Sequence, residues 1–146
     1  MYDNILLPFD GSNEARKGME HGIELAAAVG ATVHALYVID LPGAPRTVYV
    51  RDDEEEMREE YREYGEEVTA EVCERAADAG VECEVAIKTG APAEEIVDYA
   101  QDEGMDAIVL GSAYQGRFRA LLGSTADKVV RTSTVPVITT RREMNE

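Results

Sequence analysis

The sequence predicts an α/β fold: one five-stranded parallel sheet, ordered 3-2-1-4-5, with four helices shared between its two faces. Three observations carry this. Short apolar runs alternate along the chain with segments of helical periodicity. Two of the runs, Ile5-Leu6-Leu7 and Ala107-Ile108-Val109-Leu110, are continuous, as strands covered on both faces are. Glycines stand where three of the helical segments should stop, at Gly30, Gly80 and Gly104. Strict alternation of strand and helix implies parallel strands joined by right-handed crossovers. The 146 residues amount to one domain, residues 1–146, with no internal repeat or linker.

The elements follow in order. The first strand, Ile5-Leu6-Leu7, is ended by Pro8. Phe9-Asp10-Gly11-Ser12 is a loop with Ser12 as helix N-cap. Ala15, Met19, Ile23 and Ala26 then recur every three or four residues, the inward stripe of a first helix. Thr32 to Ile39 is rich in apolar and β-branched residues and forms the second strand. A connection from Asp40 to Arg51 carries Pro42, Gly43 and Pro45. A long acidic helix runs on to about Gly80, with Met57, Tyr61, Tyr64, Val68 and Val72 as its apolar stripe. Val81, Cys83, Val85 and Ile87 alternate, the pattern of a strand at a sheet edge. Pro92 opens a third helix, with Ile96, Val97 and Ala100 inward. Ala107 to Leu110 is the fourth strand, Gly111 to Leu122 a loop with a helical turn, Ser124 to Thr132 the fourth helix, and Val135 to Thr140 the last strand. Pro136 cannot donate to a ladder, so that strand belongs at an edge or has the proline at its start.

Charge excludes several functions. The chain holds 30 acids against 14 bases, a formal net charge of −16. Phosphate backbones and anionic lipids both require a basic face, so neither nucleic acid nor a membrane surface is an expected partner. Residues 52–74 alone hold twelve acids and two bases, and so −10 of the −16. This is the pattern of a solvated helix face, and it suits a high-salt medium, where repulsion is screened within a few ångströms. A halophilic source is therefore expected. No apolar run reaches the length of a membrane span, and no basic leader precedes the first strand, so a cytoplasmic location is expected. Cys73 and Cys83 fit no metal or redox spacing and read as reduced thiols.

Open parallel sheets bind ligands beyond the carboxyl ends of their strands, where the strand order reverses. Here that point lies between the first and fourth strands. Two loops meet there: Pro8-Phe9-Asp10-Gly11-Ser12, and the glycine-rich stretch from Gly111 to Thr125. Gly123-Ser124-Thr125 would present helix-start amides and two hydroxyls to an anion. Asp10 could accept from ribose hydroxyls or hold a cation, and Arg117 and Arg119 could neutralise phosphate. Each element also has a plainer reading: Gly123-Ser124 as a helix cap, Gly111 as a tight turn, Asp10 as a cap or a partner of loop amides. Gly111 and Gly116 fail as a P-loop, because Arg117 and Phe118 stand where Lys and Ser or Thr are needed. No nucleophile elbow or zinc spacing is present, and the two histidines, His21 and His34, read as structural. No catalytic residue and no metal site emerge, and the protein is not expected to be an enzyme.

Four segments, YDNILLPFDGS, HALYVID, TGAPAEEIVDYA and GSAYQGRFRALLGSTADKVVRTSTVPVIT, together resemble the universal stress protein family over Tyr2 to Thr140. The resemblance implies a Rossmann-like fold of the adenine nucleotide alpha hydrolase type, a homodimer, a role in stress response, and in many members ATP, with Mg²⁺ or Mn²⁺. The family's ATP signature is G-x2-G-x9-G-[ST]. Gly111 matches its first glycine and Gly123-Ser124 its final pair, with Thr125 following. The middle glycine is replaced by Tyr114, and eleven residues rather than twelve separate Gly111 from Gly123, the shortening falling before Gly116. Pro8 and Asp10, flanking Phe9, match positions that line the adenosine pocket, and Val38 matches the one whose backbone meets adenine. Ser112 and Gly116, between the matched positions, complete the expected binding set. The resemblance also implies dimerisation through the last strand, Val135 to Thr140. Two function classes follow: a nucleotide-binding regulatory module with an altered phosphate loop, or a nucleotide-free homodimeric adaptor working through protein contacts.

Overall fold

The computed structural model describes residues 1–40, 52–112 and 123–141. Five parallel strands form one sheet in the order β3-β2-β1-β4-β5. The strands are β1 (Asn4–Pro8), β2 (Thr32–Ile39), β3 (Cys83–Thr89), β4 (Ala107–Ser112) and β5 (Val137–Arg141). The helices are α1 (Asn13–Val29), α2 (Asp52–Asp78), α3 (Pro92–Asp102) and α4 (Ser124–Thr132). The expected topology and strand order are both observed.

The alternation of side chains along each strand divides the core in two. Ile5, Leu7, Val33, Ala35, Tyr37 and Val109 face α1 and α2. Leu6, Leu36, Ile108 and Leu110 face α3 and α4. Ile5, Leu6 and Leu7 of the central strand have no exposed surface, so a three-residue apolar run is fully covered on both sides. Burying one such side chain contributes about 2 kcal/mol. At the amino end of the sheet, the Asp106 carboxylate accepts from the amides of Asp3 and Asn4 at 2.8 and 2.9 Å, and those bonds hold its pKa below the ordinary value.

Local signals and structure agree closely in α1. The Ser12 hydroxyl accepts from Ala15 N–H at 3.1 Å, and Gly30 closes the helix at φ +76°. Elsewhere packing shifted the expected boundaries. β4 extends through Gly111 and Ser112, because both find partners in β5 at Thr140 and Arg141. β5 begins at Val137, so Pro136 stands before it, and the Pro136 carbonyl accepts from Ile108 N–H at 2.9 Å. β3 lies at the sheet edge as expected, but Val85 does not share the burial of Ile87 and is 49% exposed. On α2, Met57 and Tyr64 are exposed, while Gly65, Val68, Thr69, Val72 and Ala76 are buried. The helix turns its smaller residues to the sheet because it approaches closely: a side chain on Gly65 would strike the Tyr37 ring. Among the described residues, no helix is long and apolar enough to cross a membrane.

The reading of the cysteines as reduced thiols is overturned. Cys73 of α2 and Cys83 of β3 form a disulfide, with Cα atoms 5.3 Å apart. Their ten-residue separation resembles no metal motif, but the tight return from helix to strand at Gly80 brings the two elements alongside. Closing so short a loop should stabilise the fold by about 3 kcal/mol through the unfolded chain. Urea denaturation with and without reductant, and of Cys83→Ser, should show a lowered midpoint, equivalent to an unfolding free energy smaller by about that amount. An unchanged midpoint would mean that the bridge constrains nothing.

Candidate functional site

A cleft of about 530 Å³ opens at the carboxyl end of the sheet, between β1 and β4. Nine of the ten residues singled out in the sequence line it: Pro8, Phe9, Asp10, Val38, Gly111, Ser112, Gly123, Ser124 and Thr125. The tenth, Gly116, lies outside the described residues, as do Tyr114, Arg117 and Arg119.

The site forms because the central strand ends early. Phe9 N–H donates to the Leu36 carbonyl at 2.9 Å, the last bond tying this part of the chain to β2. Two residues further on, Val38 presents the same backbone edge beyond the end of β1, so its N–H and C=O face the opening. The chain meanwhile turns at Gly11, at φ +84°, into α1. Asp10 Oδ1 accepts from Ser12 N–H at 2.9 Å, which is the loop-amide role, and among the described residues its other oxygen has no partner, on a residue that lines the cleft.

On the opposite wall, Ser112 is buried and its Oγ accepts from Gly123 N–H at 2.8 Å. This bond pins the start of α4 against the end of β4. No side chain caps α4, and among the described residues the first-turn amides of Ser124, Thr125 and Ala126 have no acceptor, on residues that line the cleft. Unpaired amides at a helix start, with the positive end of its dipole, suit an anion.

Gly111 answers to neither a turn nor an open approach to ligand alone. It is a strand residue without positive φ, and a side chain there would overlap the Glu14 carbonyl of α1. Gly18 meets Gly111 N in the same way from the helix side. α1 therefore rests directly on β4, a demand that glycine satisfies and no other residue can.

Sequence reasoning missed Tyr37 and Asp40 at the end of β2, and Pro92 and Ile96 at the start of α3. The rule that ligands gather at carboxyl strand ends could have pointed to Asp40. The Tyr37 phenol is pushed above its ordinary pKa by burial, and then by the phenols of Tyr64 and Tyr61 and by Asp10, so it is neutral at physiological pH. Arg16, bidentate to Glu71 and set over the Phe9 ring at 5.7 Å, ties α1 to α2 beside the cleft. Neither histidine lies here. His34 shares hydrogen bonds with Asn4 Oδ1 at 3.0 Å and the Tyr99 hydroxyl at 3.2 Å, and His21 is exposed on α1. Among the described residues no cluster of His, Cys, Asp and Glu could hold a metal ion.

A crevice at the reversal point of a 3-2-1-4-5 parallel sheet, walled by a helix start, defines the ligand-binding class of doubly wound α/β proteins. The model of the universal stress protein family matches residues 1–141, and the chain belongs to that family. It is 32% identical to the universal stress protein MJ0531 of Methanocaldococcus jannaschii over the whole of this chain and 86% of that one. Its fold matches the solved structure of MJ0577 from the same organism, with a TM-score of 0.84, 30% identity and 98% of both chains covered. It also matches a universal stress protein of Archaeoglobus fulgidus solved in complex with dAMP, at a TM-score of 0.66 and 26% identity, over 94% of this chain and 97% of that one.

Gly111→Ala should lower stability by about 1–3 kcal/mol without any ligand, since backbone rather than a flexible side chain must yield. Chemical denaturation of the ligand-free protein measures this. A neutral result would show that α1 and β4 can separate freely.

Proposed function

We propose that this cleft binds an adenine nucleotide and that the protein is a nucleotide-binding regulatory module of the stress response rather than an enzyme. One observation carries the reading: the Asp10 loop and the uncapped start of α4 face each other across a single cleft at the strand-order reversal. The backbone edge of Val38 would take the base, the free Asp10 oxygen the ribose hydroxyls, and the amides and hydroxyls of Ser124 and Thr125 the phosphates. The dAMP complex of the Archaeoglobus fulgidus relative supports an adenine nucleotide in this architecture. ATP is the ligand that the glycine signature favours. A divalent cation would arrive with it, Mg²⁺ or Mn²⁺ held chiefly by the phosphates. The cleft offers donors and carboxylates suited to holding a nucleotide.

We further propose a cytoplasmic, salt-adapted homodimer paired across β5. That strand lies at the sheet edge and all five of its residues are partly exposed, leaving a backbone rim for a second copy.

Calorimetric titration with ATP and Mg²⁺ in high salt tests the nucleotide reading. Saturable heat supports it. No heat at millimolar ATP overturns it in favour of a nucleotide-free adaptor. Gly123→Asp should abolish binding by placing a carboxylate at the anion site. It should leave ligand-free stability intact, because Asp is a good N-cap and Gly123 has φ −59°, open to any residue.

A further inference from the structure

Tyr64 is placed by something other than burial. It is 42% exposed on α2, yet its hydroxyl donates to the Asp10 carbonyl at 2.9 Å across 54 positions of sequence. The hydroxyl fills the space left by the missing side chain of Gly11, which any Cβ would contest. The Tyr64 ring also meets Tyr37 edge to face, with centroids 5.6 Å apart and planes at 71°. Tyr37 and Asp10 both line the cleft, so one phenol outside it touches two of its wall residues from behind.

The direction of the Asp10 carboxylate follows from the same contact. Its Oδ1 is committed to Ser12 N–H, so the side chain turns with the Asp10–Ser12 backbone. That backbone turns through a positive-φ glycine, Gly11. A donor on the Asp10 carbonyl fixes the peptide, and with it the free carboxylate oxygen. α2 is a firm post for such a donor, because Glu71 is clamped by Arg16 and Cys73 is bonded to Cys83.

We propose that Tyr64 is a positioning residue of the nucleotide site, holding the Asp10 carboxylate at the ribose side of the cleft without touching the ligand. This rests on the nucleotide reading of the cleft. A merely structural Tyr64 would affect stability, or would alter affinity by a factor indifferent to the Asp10 side chain.

The test is a double-mutant cycle, read by ATP titration with Mg²⁺ in high salt. Tyr64→Phe keeps the ring and removes the donor. Alone it should weaken ATP binding roughly fivefold, the cost of re-ordering the released Asp10 peptide when the ligand binds. Asp10→Ala should weaken binding by itself. In that background Tyr64→Phe should change affinity by less than about 1.5-fold, because the group it orients is gone. Unchanged affinity in Tyr64→Phe, an ineffective Asp10→Ala, or the same factor in both backgrounds would each overturn the proposal while leaving the nucleotide reading intact. Failure of the wild-type protein to bind ATP would overturn the nucleotide reading and this role together.

Discussion

Where the Glu14 carbonyl lies against Gly111, helix α1 rests on the backbone of β4 with no side chain between them. Gly18 makes the same approach from the helix. This contact sets the height of α1 above the sheet, and so the place where the Pro8–Ser12 loop must leave the end of β1. It also determines how far the β4 backbone reaches before Ser112 can take the Gly123 amide. Both walls of the cleft thus depend on two missing methyl groups. Interiors packed at crystal density leave no slack to restore the arrangement once such a contact is widened.

A second layer of constraint comes from α2. Its acidic outer surface contributes charge and little else to the fold, but its inner face is chemically varied. Gly65 admits the Tyr37 ring, Thr69 returns its hydroxyl to the Gly65 carbonyl at 2.7 Å, and Glu71 holds Arg16 at 2.8 Å. Cys73 anchors the same helix to the edge strand β3. The helix that looks least specific in composition is therefore attached to β2, α1 and β3 at separate points. The Arg16–Glu71 pair is about one-third exposed, so its net contribution is small, and it orients more than it stabilises.

The cleft combines an apolar floor with two kinds of polar group at opposite walls. Carboxylates stand on the Asp10 and Asp40 side, and backbone amides with hydroxyls at the start of α4. A ligand that is neutral and hydroxylated at one end and anionic at the other matches that polarity, and a nucleotide is such a molecule. The strongly negative net charge works against any polyanion at long range, so high salt, which screens that field beyond a few ångströms, favours the encounter.

Fold, strand order and most of the candidate site were legible from residues alone, because periodicity, capping and strand alternation are local and each constrains its own segment. Ser12, Gly30 and Pro92 mark helix ends by chemistry that acts within a few positions. The Cys73–Cys83 bridge, the Tyr64 bond to Asp10 and the reason for Gly111 were not legible. Each is a contact between elements whose distance depends on how closely two surfaces pack. Spacing along a chain carries no information about that distance until the sheet and helices are assembled. Sequence by itself determined which segments would meet; only the tertiary structure decided which atoms touch.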